Sequence, residues 1–157
     1  MVVLAIDPGT RYAGYSVVRC EGGRISVLEV DVLKLTTSAS LAHRLREFYT
    51  FFNAKIAEQK ICSLALETPF LGKNAQNFLK LGYVRGLLYL LSDMHGLALY
   101  EYAPREIKKS VTGYGGADKE QVARALSVMF PGFATPVLLD ASDALALALC
   151  CAWHVGL

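Results

Sequence analysis

The sequence predicts an α/β fold, a five-stranded mixed sheet in the order 3-2-1-4-5 flanked by helices. Two apolar runs, Val2–Ile6 and Ile61–Leu66, each end in a carboxylate, Asp7 and Glu67, and runs with so little polar relief mark strands buried on both faces of a sheet. The first run and the two strand-like segments after it are joined by short connections, which makes an antiparallel meander. Helical and strand patterns then alternate, and right-handed crossovers set the fourth strand parallel to the first and beside it, with the fifth outside.

In chain order, the first strand opens the stretch Val2–Val18 and breaks at Asp7-Pro8-Gly9. Ionised Asp is costly to bury unpaired, so Asp7 either caps that turn or holds something positively charged. Gly14–Cys20 and Ile25–Leu35 are rich in Val, Ile, Leu and Tyr, with the tight-turn residues Glu21-Gly22-Gly23-Arg24 between them. After polar Thr36–Ser40, Leu41, Leu45, Phe48, Phe52 and Ile56 recur at helical spacing. The fourth strand follows, ending in Glu67, and Thr68–Lys73 is a loop carrying Pro69 and the apolar Phe70. Asn74–His95 is a long helix with apolar residues on more than one face and Gly96 at its stop; the surplus apolar face implies a partner surface. Leu97–Tyr102 is the fifth strand, and Pro104 opens a short basic helix (Arg105, Lys108, Lys109) that ends near Gly113. Asp118 and Gln121 form a capping-box pattern ahead of the next helix, and a last helix runs from near Asp140 to about His154.

Composition bounds the classes. The 157 residues, 54% of them hydrophobic, predict one globular domain spanning 1–157 and argue against disorder. A net charge of +2 means that any affinity for nucleic acid comes from a local basic surface. Cys20, Cys62, Cys150 and Cys151 lack zinc-type spacing and are expected as small core residues. The apolar run Ala144–Trp153 falls short of the ~18 residues of a membrane span, and no cleavable leader pattern stands at the N-terminus, so a cytoplasmic protein with no membrane contact is expected.

The predicted topology puts the ends of strands one and four at one sheet edge, ~4.8 Å apart, where open α/β sheets carry their sites. Asp140 and Asp143 share one face at a helix start. Alone, that pair is a common helix-start pattern. Four carboxylates in one site, however, repel each other unless divalent cations neutralise them. Oxygen ligands without His or Cys favour Mg²⁺, with Mn²⁺ as a substitute, and two such ions about 3.5–4 Å apart suit phosphodiester hydrolysis.

These residues reach a family. Ile6-Asp7-Pro8-Gly9-Thr10, Glu67 with Phe70-Leu71-Gly72-Lys73-Asn74, Leu79-Lys80-Leu81-Gly82 with Arg85-Gly86, Thr112-Gly113-Tyr114-Gly115 with Lys119 and Gln121, and Asp140-Ala141-Ser142-Asp143-Ala144-Leu145-Ala146 together resemble RuvC, the bacterial Holliday junction resolvase family. The resemblance implies an RNase H-like fold, a homodimer, and Mg²⁺-dependent paired nicks in a four-way DNA junction during recombination and repair. It implies Asp7, Glu67, Asp140 and Asp143 as catalytic ligands of two Mg²⁺ per subunit, and a branch-migration helicase complex as partner. Departures stand at Ala13 and Ser16, in place of the more usual Thr and Gly, and at Thr68-Pro69, in place of Gln-Val.

Lys119, at the first position of its helix, is either a solvated lysine or a catalytic phosphate ligand, and the resemblance favours catalysis. The resemblance likewise raises Lys108 to a DNA contact. Phe70 either stacks on unpaired bases or is buried in the core. Lys73, Asn74 and Arg85 are candidate phosphate contacts, with surface or dimer roles as alternatives. Two other functions compete: a related nuclease acting on RNA, and an ATP-binding domain of the actin and sugar-kinase type, whose phosphate loop the Asp-Pro-Gly-Thr turn also resembles.

Overall fold

The computed structural model describes residues 1–69, 75–131 and 139–155, with positions 139 and 140 as backbone alone. The opening run forms β1 (Val2–Asp7), and Val3, Leu4, Ala5 and Ile6 are fully buried. Such a strand needs cover on both faces and neighbours on both edges. β2 (Tyr12–Glu21) and β3 (Arg24–Lys34) supply the antiparallel side, while β4 (Ser63–Glu67) lies parallel to β1 and β5 (Ala98–Tyr102) parallel to β4. The order is β3-β2-β1-β4-β5, as predicted. Gly22 and Gly23 join β2 to β3 with φ of 56° and 74°, the left-handed pair that matches a two-residue turn to strand twist.

Helices cover both faces. α1 (Leu41–Glu58) and α2 (Ala75–His95) pack on one, and α3 (Pro104–Thr112), α4 (Lys119–Met129) and α5 (Leu139–Val155) on the other. Strand alternation sorts the residues between them: Leu4, Ile6, Leu64 and Leu66 face α1 and α2, whereas Val3, Ala5 and Ala65 face α5. The first face is aromatic, with Phe52 meeting the edge of Tyr15 at 5.7 Å and Phe48 at 4.6 Å. The second is built from small residues, since Ala144, Ala148, Cys150, Cys151 and Ala152 on α5 are all fully buried. Ser16, buried in β2, donates its hydroxyl to the Ala144 carbonyl at 2.8 Å.

Some boundaries differ from the sequence reading. β2 begins at Tyr12 rather than Gly14, because cross-strand pairing with Lys34 continues past the apolar residues. α5 starts at Leu139, in line with the expected start near Asp140. Cys62 is exposed rather than in the core: it lies just before β4, where its thiol donates to the Val2 carbonyl at 3.2 Å. Cys20, Cys150 and Cys151 are buried, and burial pushes the Cys151 thiol up to about 11. No helix among the described residues is long and apolar enough to cross a membrane.

Candidate active site

The parallel pairing of β1 with β4 sets Ile6 opposite Leu66, so Asp7 and Glu67 are the next residues on adjacent strands. Both follow the alternation of their strands toward the α5 face. The turn after Asp7 requires glycine at position 9: an added Cβ would stand 1.9 Å from the Tyr12 carbonyl oxygen. That turn sends the chain straight into β2 and leaves Asp7 at the sheet edge.

α5 brings Asp143 to the same place, and α4 brings Lys119. The predicted capping box is present, with the Asp118 carboxylate accepting from the Gln121 backbone N–H at 2.8 Å and the Gln121 side chain accepting from the Asp118 N–H at 2.9 Å. It fixes the first turn of α4, from which the Lys119 Nζ reaches Asp143 Oδ2 at 2.7 Å. Asp7, Glu67, Asp143, Lys119 and Lys108 line one cleft of about 670 Å³, walled on its apolar side by Phe78, Leu81, Ile107 and Val122. Phe70, Lys73, Asn74 and the side chain of Asp140 lie outside the described residues; the Asp140 backbone is three positions ahead of Asp143 on α5.

Burial pushes the Glu67 carboxyl up and the Asp143 carboxylate pushes it further, against the opposing pull of Lys108, Lys119 and Arg85. The net shift is upward, with burial its largest cause. Among the described residues no three Asp, Glu, His or Cys side chains close on one point as a complete metal cluster. Hard, oxygen-only donors such as Asp7, Glu67 and Asp143 nonetheless fit a divalent cation.

Arg85, one of the candidate phosphate contacts, lines the same cleft. It points into the fold, 8% exposed, with Nη1 donating to the Glu67 carbonyl at 2.6 Å and Nη2 paired with Glu101 on β5. The other Glu101 oxygen accepts from the Tyr89 hydroxyl at 2.9 Å. A sequence signal for this existed: Arg85 interrupts an apolar helix between Val84 and Leu87, and Glu101 falls on the same strand face as Leu99.

The model of the crossover junction endodeoxyribonuclease RuvC matches residues 3–151. The chain belongs to the RuvC family. RuvC of Pelodictyon phaeoclathratiforme is 45% identical over 150 residues, 96% of this chain and 78% of its own. RuvC of Chlorobium phaeobacteroides is 46% identical over 156 residues, 99% of this chain and 83% of its own. The solved RuvC of Thermus thermophilus is similar with a TM-score of 0.87 at 27% identity, covering 98% of this chain and 95% of that one. The RuvC match runs from the second residue of β1 into α5 and thus includes both strand ends and the aspartates of α5.

Proposed function

We propose that this chain is a homodimeric endodeoxyribonuclease that resolves four-way DNA junctions by paired symmetric nicks in recombination and repair. Its relatives carry the name crossover junction endodeoxyribonuclease over nearly all of this chain. The observation that carries the reading is the adjacency of Asp7 and Glu67 at one sheet edge, in the cleft that Asp143 and Lys119 also line. In the proposed reaction a water oxygen bonds to phosphorus, the bond from phosphorus to the 3′ oxygen breaks, and that oxygen leaves with a proton. The products are a 5′-phosphate and a 3′-hydroxyl.

The proposed ligands are Asp7, Glu67, Asp140 and Asp143, holding two Mg²⁺ per subunit, with Mn²⁺ able to substitute. When bound, the ions supply Lewis acidity at the scissile phosphodiester. The chain's own part is to hold four carboxylates on rigid elements and to offer a cation beside them. Lys119, now on Asp143, has the reach to exchange that carboxylate for a phosphate oxygen at the N-terminus of α4. Lys108, Phe70, Lys73 and Asn74 are the proposed DNA contacts around it.

The exposed apolar residues Leu79, Tyr83, Leu90 and Met94 of α2 support the dimer. They repeat at steps of four, seven and four, one stripe of a helix, with Gly86 near its middle where a second backbone could approach closely. Two-fold symmetry in the protein then matches two-fold symmetry in an open junction. Partnership with a branch-migration helicase complex and a cytoplasmic location belong to the same proposal.

The test is Mg²⁺-dependent nicking of a mobile four-way junction with cuts mapped on all strands, alongside duplex DNA and RNA substrates. Symmetric paired cuts confined to the junction are expected. Asp7→Asn should lower the rate at saturating DNA by at least about 10²-fold, the scale of losing one charge-stabilising group at a reacting centre, and leave junction binding intact. Appreciable cutting by that variant would remove Asp7 from the site.

A further inference from the structure

Glu67 is held by its main chain as well as placed by its strand. Its carboxylate turns to the α5 face with Asp7, yet its main chain is gripped from the α2 face, where Arg85 donates to the Glu67 carbonyl at 2.6 Å. β4 ends at Glu67, where its pairing to β5 stops at Tyr102, and Thr68 adds a last main-chain bond to the Tyr102 carbonyl at 2.9 Å. A residue at the end of a ladder lacks the register bonds that fix one in the middle, so its peptide is the place where the strand frays first.

Arg85 closes that gap. Its planar guanidinium presents two donors in a fixed geometry, one to the carbonyl of β4 and one to Glu101 of β5. Glu101 is in turn fixed by the Tyr89 hydroxyl, which returns the chain of contacts to α2. An arginine with a 9% exposed side chain has been desolvated, which is tolerated only because these partners satisfy it. The desolvated fork therefore has one stable arrangement, and the Glu67 peptide is part of it.

We propose that Arg85 is a positioning residue for Glu67: from the α2 wall of the cleft it clamps the last peptide of β4 to β5 and α2 and so fixes where the Glu67 carboxylate stands. The assignment rests on the reading of Glu67 as a metal ligand. Partners that orient a ligand typically matter about 10–100-fold in metal affinity or activity when lost.

The decisive experiment titrates the full-length metal-free protein with Mn²⁺, reading free ion by electron paramagnetic resonance at a temperature where every variant is folded. Glu67→Gln and Arg85→Gln should each weaken binding about tenfold or more, with Arg85→Lys intermediate because lysine keeps the charge but cannot bridge both acceptors. The double variant Glu67→Gln with Arg85→Gln should bind no more weakly than Glu67→Gln alone, since the arginine acts through the glutamate. Cleavage at saturating junction should slow in parallel, with junction affinity measured without Mg²⁺ unchanged. A folded Arg85→Gln protein with wild-type Mn²⁺ affinity overturns the proposal, as do additive losses in the double variant or a loss of junction affinity that matches the loss of cleavage. Glu67→Gln with unaltered Mn²⁺ binding overturns instead the ligand role on which the proposal stands. If Arg85→Gln does not fold, Glu101→Gln, which frees one side of the fork, carries the same expectations.

Discussion

On the face covered by α1 and α2 the sheet meets Phe48, Phe52 and the ring of Tyr15, and on the face covered by α5 it meets alanines and cysteines. Rings hold a helix away from a sheet, whereas small side chains let it settle close, because the distance between packed elements follows the side chains at the contact. The cleft carboxylates all belong to the close-packed face. Asp7 and Glu67 turn toward it, and Asp143 sits on the helix that forms it. The aromatic face supports from behind: Arg85 of α2 holds the Glu67 carbonyl, and Arg44 of α1 donates to the Thr10 carbonyl at 2.7 Å in the turn after Asp7. Aromatic bulk and backbone support lie on one side and the carboxylates on the other, with α2 also walling the cleft between them.

Two substitutions test this division. Phe52→Ala on the aromatic face should cost the most stability, about 3–5 kcal/mol for a fully buried ring, measured by urea denaturation, while the folded fraction keeps its cleavage rate. Ala144→Leu on α5 should cost less, about 1–3 kcal/mol of overpacking, yet lower cleavage by about 10²-fold, because a displacement near 1 Å at a reacting centre has that effect. If the ring variant lost more activity per folded molecule than the alanine variant, the comparison would fail.

The smallest effect concerns pH. The folded protein holds the Glu67 proton to a higher pH than the unfolded chain does, so it binds more protons across the interval between the two values. Stability of the metal-free protein therefore falls as pH rises through that interval, and the penalty is complete above it. Glu67→Gln removes the penalty. Its melting temperature in chelator should exceed wild type at neutral pH and converge with it in acid below the ordinary glutamate range. Equal differences at both pH values would show that Glu67 carries no such burden.

Much of this was legible in the residues. Uninterrupted apolar runs identified β1 and β4, and their terminal carboxylates marked the edge where the cleft lies, because strand period and crossover handedness leave little freedom once the order is known. Asp118 and Gln121 announced the start of α4, and hence the direction from which Lys119 approaches. Arg85 was harder to read. A basic residue on a helix next to a loop suits a phosphate as well as it suits a buried carboxylate, and only the packing of α2 against β5 distinguishes the two. Cys62 was misjudged for a related reason: its residue type favours burial, but its position at the rim before β4 exposes it.

The buried bond from Ser16 to Ala144 joins residues 128 positions apart. A chain emerging from the ribosome releases β1, β2 and β3 early and α5 late, and the cover that β1 needs on its second face is complete only when α5 arrives. Throughout that interval the emerged chain carries Asp7 and then Glu67, but neither aspartate of the last helix. A half-made chain thus holds half of the expected carboxylates, and an interrupted one that stops short of α5 never gains the rest. Under the proposed ligand assignment, cutting competence arrives only with completion of the fold.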